Sequence, residues 1–237
     1  ITNNTITGCT GVALVDSSGS GGVLATTYYG AGTTGTLTGN VLTGNSAGIC
    51  AGYDASDVVV VTAHSNDLSG NEDVAVVSTS GTVTVDASAN WWGDNTAAGV
   101  AAEVSGLVDY TPWLHNAGDA SGDPGFQGDY SVLDVDDDSP QAGTTGRIQE
   151  AVNLVSGSTV NLAPGLYLAS NTLLDHSLVL QGTGASRGDV VIAPAAEDGN
   201  ADNAFATSAQ NGLVIKAHDV TVRNLTLPNG METGLID

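Results

Sequence analysis

Asn4-Thr5-Ile6-Thr7-Gly8, Asn40-Val41-Leu42-Thr43-Gly44, Asn66-Asp67-Leu68-Ser69-Gly70 and Asn90-Trp91-Trp92-Gly93-Asp94 align without a gap. Asparagine opens each segment, a large apolar residue stands two places on, and glycine holds the fifth place in the first three. The opening asparagines are 36, 26 and 24 residues apart. A chain that returns on itself at such intervals stacks short parallel strands about 4.8 Å apart. Equivalent residues then form rows. An inward asparagine at a bend meets the asparagine of the next turn, so a buried amide finds its partners within the row. The apolar residue two places on shares that face and fills the core. Glycine supplies the positive φ of the corner. The pattern predicts one inward ladder of Asn4, Asn40, Asn66 and Asn90. The longer first interval leaves room for a loop, which residues 19–35 (GSGGVLATTYYGAGTTG) would supply. The competing architecture, a β-sandwich, would show antiparallel hairpins closed by Asn-Gly or Asp-Gly turns.

Composition agrees with an all-β chain. Among 237 residues there are 32 glycines, and the apolar share is 41%. Turn formers mixed with β-branched residues favour many short strands. Charge is lopsided, with 26 acidic against 4 basic residues and a net charge of −22. The basic residues, Arg147, Arg187, Lys216 and Arg223, form no run, so phosphate neutralisation and nucleic-acid binding are excluded. An anionic membrane surface would repel the chain, and no run is apolar enough to insert into a bilayer. Cys9 and Cys50 are too few for a disulfide framework and are expected as buried free thiols. Ile1, in place of an initiator methionine, suggests a processed or excised segment.

Three stretches follow. Residues 1–114 carry the repeats. Residues 115–141 are a Gly/Asp-rich acidic linker with one strand, Tyr130 to Val135. Residues 142–237 open on the one convincing amphipathic helix, with Ile148, Ala151, Val152 and Val155 at helical spacing. Thr144 or Thr145 would cap its start and Gly157 its end. Short β-rich runs then recur at STVNLAP, HSLVLQG, DVVIAP, GLVIKA and HDVTVRNLTL.

With these motifs the chain resembles right-handed parallel β-helix proteins of the pectate-lyase-like superfamily, especially repeat-bearing surface proteins of bacteria and archaea. Residues 146–167 (GRIQEAVNLVSGSTVNLAPGLY) are similar to the opening of such a domain, where a short helix plugs the first coil. Residues 90–114 (NWWGDNTAAGVAAEVSGLVDYTPWL) look like its last coil and exit. The resemblance implies a β-helix read from about residue 126 to 237 and then from 1 to 114, so that the chain is a permuted window of the domain. Both ends of that window would be coil edges whose unpaired backbone groups accept a further strand.

The resemblance also implies possible activity on acidic polysaccharides, but the residues do not supply it. There is no match to the lyases' Arg or Lys base beside calcium-binding aspartates, nor to the esterases' two Asp and one Arg. His64, His115, His176 and His218 lack metal-ligand spacing. The best cation candidate is Asp134, Asp136, Asp137 and Asp138, a hard-oxygen cluster that would take calcium. Against it stands a plain solvated linker. Trp91 is a candidate surface contact for a sugar or a neighbouring copy, and Tyr28 and Tyr29, in the long insertion of the first coil, are candidates for a lateral contact. The expected function is structural: an extracellular or cell-surface protein assembling end to end, as a homopolymer or as covalent tandem repeats, for adhesion or matrix formation. Its edges would be Ile1, Asn4 and Ile6 on one side and Leu225, Leu227, Leu235 and Ile236 on the other. The alternative is a polysaccharide-binding or polysaccharide-active domain.

Overall fold

The computed structural model describes residues 1–11, 21–155, 158–169, 171–193 and 211–228. They form several short parallel sheets with two short α-helices, an all-β architecture. Every pairing between described strands is parallel. One isolated bridge, Asp119 with Gly128, is antiparallel. The chain divides into two compact units, residues 1–130 with 138–142 and residues 131–137 with 143–237. The acidic stretch 115–141 is therefore shared between them.

In the first unit each return of the chain lays strands onto separate rows. One row runs Gly21–Ala25, Ala47–Ala51, Val74–Ser78 and Val104–Ser105. A second runs Thr34–Thr38, Val60–His64, Val85–Asp86 and Val108–Asp109. A third pairs Thr5–Thr7 with Val41–Thr43 and continues through bridges from Val41 to Asp67 and from Asp67 to Trp91. The register stacks like on like: Val23 stands opposite Ile49, Ile49 opposite Val76, and Ile6 opposite Leu42. Leu37, Leu42, Ile49, Val61, Leu68, Val76, Val85 and Val108 close into one dry core that ends on Trp92, Tyr110 and Trp113.

Two sequence expectations change here. Residues 19–35 are not simply a loop, because they contain strand Gly21–Ala25 and the start of strand Thr34–Thr38, each the outermost member of its row among the described strands. Glycine at the inward places 21 and 35 and an exposed Leu24 hide the alternation, but inward Leu37 is buried and Val23 packs on the core. The short helix Ala97–Ala102 was not expected. Thr96 caps it through a hydroxyl that accepts from Gly99 N, and Val100 is its one buried residue, too little for a visible period.

The second unit holds the parallel sheet Val132–Val135, Thr159–Leu162, Val179–Gly182 and Thr221–Arg223. Gly165–Leu168 pairs with Val190–Ala193, and Thr172–Leu174 with Leu213–Ile215. Leu133, Val160 and Leu180 stack in register and are fully buried. Helix Arg147–Leu154 buries Ile148, Ala151 and Val152. It also satisfies a strand edge: Gln149 Nε2 donates to Leu173 O at 3.2 Å and Gln149 Oε1 accepts from Leu173 N at 2.7 Å. Its N-cap is Gly146, without a side-chain capping bond, so neither Thr144 nor Thr145 serves. The helix ends at Val155, and Gly157 lies outside the described residues.

Candidate functional site

The four repeat asparagines form one hydrogen-bonded row in the first unit. Asn4 donates both its backbone N–H and its Nδ2 to Asn40 Oδ1, at 3.0 and 3.2 Å. Asn40 does the same to Asn66 at 2.9 and 2.9 Å, and Asn66 to Asn90 at 2.8 and 3.0 Å. Asn40, Asn66 and Asn90 are wholly buried. At one end the row is closed, because Asn90 Nδ2 donates to the carbonyls of Ala63, Ala87 and Ser88. At the other end it is open. Among the described residues no group donates to Asn4 Oδ1, and Thr5–Thr7 is paired on one edge only.

A second row escaped the sequence reading. Asn45 donates N–H and Nδ2 to Asn71 Oδ1 at 3.1 and 3.2 Å, and Cys9 N donates to Asn45 Oδ1 at 3.1 Å. Cys9, Asn45 and Asn71 occupy the sixth place of the first three repeats, directly after the positive-φ Gly8, Gly44 and Gly70. Extending the alignment by one residue shows the signal. Cys9 keeps this rung with its backbone alone. It is exposed, not buried, whereas Cys50 is buried, and its thiol is pushed up to about 11 by that burial.

In the second unit a different row crosses the sheet. Asn161 Nδ2 donates to Asp134 Oδ1 at 2.8 Å, Gln181 Nε2 to Asn161 Oδ1 at 2.7 Å, and Arg223 Nε to Gln181 Oε1 at 2.7 Å. Asp134 is thus engaged as a hydrogen-bond acceptor inside a sheet. Asp137 accepts from Leu166 N at 2.6 Å. Of the expected cation residues, Asp134 and Asp136 are buried, Asp137 is half-buried and Asp138 exposed, and among the described residues no three His, Cys, Asp or Glu side chains are grouped to hold a metal ion.

The candidate surface aromatics lie on the first unit. Trp92 points into the core, while Trp91 is half-buried beside it. Tyr28 and Tyr29 are exposed, and Tyr28 also packs against Tyr53. Beneath them Asp57 is buried and accepts from Thr26 Oγ1, Thr27 N, Thr27 Oγ1, Tyr53 N and Val59 N. Burial alone would raise its pKa, but the donors from Thr26, Thr27 and Tyr53 outweigh that and hold the carboxyl well below its usual range.

Two further acid groups are perturbed. Burial lifts Asp109 to about 6, against the hydrogen bonds that Ala142 N, Ser139 Oγ and Thr111 N donate to it. Asp86 is partly buried, which raises its pKa, yet the hydrogen bond and charge of His64 bring it below the usual value. His64, Asp86 and Ser88 look like a hydrolytic triad but are not one. Asp86 Oδ1 lies 2.7 Å and Ser88 Oγ 3.2 Å from the same ring nitrogen, Nε2. Nucleophile activation needs serine and carboxylate on opposite ring nitrogens.

Of the expected edge residues, Ile1 and Leu227 are exposed, and Ile6 and Leu225 half-buried. Leu235 and Ile236 lie outside the described residues. Among the described residues no helix is long and apolar enough to cross a membrane. No family model, curated protein or solved structure matches this chain.

Proposed function

We propose that this chain is a structural protein of the cell surface or extracellular space, whose stacked turns make a right-handed parallel β-helix that continues end to end into further copies. The observation that carries this reading is the open asparagine row. Each inner rung takes two N–H groups from the turn before it, and Asn4 Oδ1 stands ready for the same pair. Thr5–Thr7 offers the backbone edge on which such a turn would pair. Cys9 illustrates that a backbone N–H alone is enough to occupy a rung. Head-to-tail addition of identical copies does not close on itself and gives a fibre. The net charge of −22 keeps such an assembly hydrated and discourages lateral clumping. Adhesion or matrix formation would be its use.

Negative-stain microscopy with denaturing electrophoresis tests the reading. Fibres built from a 23.5 kDa chain mean non-covalent polymer, while a far larger denatured chain means tandem repeats. Thr5→Pro with Ile6→Lys, which removes an edge donor and adds a charge, should shorten or abolish non-covalent fibres. Monomers at every concentration would overturn the proposal. Monomers that degrade an acidic glycan would favour the polysaccharide-active alternative.

A further inference from the structure

Tyr28, Tyr29 and Tyr53 stand on one rigid support at the surface of the first unit. Tyr29 is 92% exposed and Tyr28 60% exposed. The Tyr28 ring centroid lies 4.9 Å from that of Tyr29, at 81°, and 4.6 Å from that of Tyr53, at 46°. The support is the Asp57 carboxylate, only 5% exposed, with its donors from Thr26, Thr27, Tyr53 and Val59. The Thr26 hydroxyl in turn accepts from Tyr28 N at 3.0 Å. One buried carboxylate therefore fixes both ring-bearing turns, in a stretch where residues 1–146 contain no Lys or Arg. Burying a carboxylate without a cation is costly. The core does not need it, since none of the three tyrosines belongs to the core cluster. Aromatic rings held in water on a pre-organised turn are suited to stacking a ligand, because little conformational entropy is left to lose on binding.

We propose that this turn is a binding site for a neutral saccharide. The C–H faces of pyranose rings would stack on Tyr29 and Tyr28. Ring hydroxyls would donate to Asp54, which follows Tyr53 in the chain. Its Oδ1 accepts from Ser56 N and Oγ at 2.8 and 2.6 Å, and Oδ2 has no partner among the described residues. Charge decides the class of sugar. With no Lys or Arg in residues 1–146 and a net charge of −22, no strong cation beside the turn pairs with a uronate or sulfate, and a polyanion is repelled. The site stands apart from the proposed end-to-end assembly, because Asn4 and Thr5–Thr7 contribute nothing to it.

Isothermal titration of the full chain with linear hexasaccharides of glucose, xylose and N-acetylglucosamine tests the proposal, with hexagalacturonate as the anionic comparator. At least one neutral hexasaccharide should bind and hexagalacturonate should not. Tyr29→Ala should weaken binding roughly five- to tenfold, as expected for one lost stacking contact. Tyr28→Ala with Tyr29→Ala should abolish it, with the melting temperature unchanged. Tyr29→Phe should bind as the parent does. The proposal is overturned if none of the neutral hexasaccharides binds, if the double variant binds like the parent, or if hexagalacturonate is preferred. Self-association lost in the double variant, with no heat from any sugar, would assign the rings to a contact between copies and overturn it too.

Discussion

Replacing Asn66 by Asp changes the chemistry of one atom at the centre of the asparagine row. The retained Oδ1 still accepts from Asn40 N and Nδ2 at 2.9 and 2.9 Å. The lost Nδ2 had donated to Leu37 O at 3.1 Å, His64 O at 3.0 Å and Asn90 Oδ1 at 3.0 Å. In Asn66→Asp those three acceptors face a carboxylate oxygen in a site with no solvent access. Two N–H donors shared among those three acceptors, at about 1 kcal/mol each, plus several kcal/mol for an unpaired buried charge, give a penalty of about 5 kcal/mol or more. That approaches the whole stability of an ordinary domain, about 5–15 kcal/mol. The site favours the protonated acid, so the folded-state pKa of the new carboxyl lies above its unfolded value. The folded variant then binds its proton more tightly than the unfolded chain, and the penalty shrinks as pH falls. Asn66→Ala works differently. It orphans the two donors of Asn40, at about 1–3 kcal/mol each, with no charge and no pH dependence of its own. Urea unfolding midpoints of parent, Asn66→Asp and Asn66→Ala at pH 7 and pH 4 read this out. The aspartate should be the less stable variant at pH 7 and should recover relative to alanine at pH 4. An Asn66→Asp protein as stable as the parent at pH 7 would show that Asn66 does not donate into a carbonyl cage, and the polarity assigned to the row would fall.

Asp109 should make the parent protein less stable as pH rises. Its folded pKa of about 6 lies above the ordinary aspartate value of 3.8, so its contribution is complete below about pH 4 and is lost by about pH 6, a change of about 3 kcal/mol that Asp109→Asn should flatten in melting curves. Asp57 has the opposite sign. Its depressed pKa contributes stability above about pH 4 that is lost on further acidification, and Asp57→Asn should remove that acid limb from the same curves. Native protein should show one thiol reactive toward an aromatic disulfide reagent, Cys9, with Cys50 reacting only after denaturation; two fast thiols would contradict the burial of Cys50. Melting temperature should rise with sodium chloride up to molar concentration, since screening relieves like-charge repulsion and the first unit has no Lys or Arg ion pair to weaken; a fall would refute this.

The parallel rows were legible in the sequence because their residues are chemically distinctive. Asparagine followed two places later by a large apolar residue is rare enough to align by eye, and the register sets these asparagines side by side. The same logic missed the row of Asn45 and Asn71, where a cysteine interrupts the column. Only the backbone of Cys9 matters there, and a backbone N–H leaves no mark on residue identity. Strands Gly21–Ala25 and Thr34–Thr38 look like loop because glycine takes inward places at 21 and 35 and the apolar Leu24 faces outward. Their membership is decided by the neighbouring turns at Ala47–Ala51 and Val60–His64, a tertiary influence that local propensity does not carry. Asp134, Asp136, Asp137 and Asp138 are close in sequence, but only the fold shows Asp134 accepting from Asn161 and Asp137 from Leu166 N. The tyrosine turn was visible only as two exposed rings. Its support, Asp57, lies about 30 residues away in sequence and is recognisable only once five donors converge on it.

The two ends of the asparagine row are not equivalent, and that asymmetry bears on how the proposed assembly would grow. An inner rung such as Asn40 gives two bonds forward to Asn66 and receives two from Asn4. Both lone pairs of each inner Oδ1 are thereby used by a neighbouring turn. A row of this kind has nearest-neighbour energetics, in which each added turn repeats the bonds made by the last. At Asn90 the repetition stops. Its Nδ2 turns to three carbonyls, and its own carbonyl accepts from Leu114 N at 3.0 Å, so a further rung there would have to displace bonds already made. At Asn4 nothing has to be displaced. A new turn would gain two hydrogen bonds at Oδ1 and a strand pairing along Thr5–Thr7, at the cost of ordering its own residues. If that turn comes from a copy already folded, most of the ordering cost has been met beforehand. Growth through this row is therefore favoured at the Asn4 face and disfavoured at the Asn90 face, which gives the proposed fibre a direction.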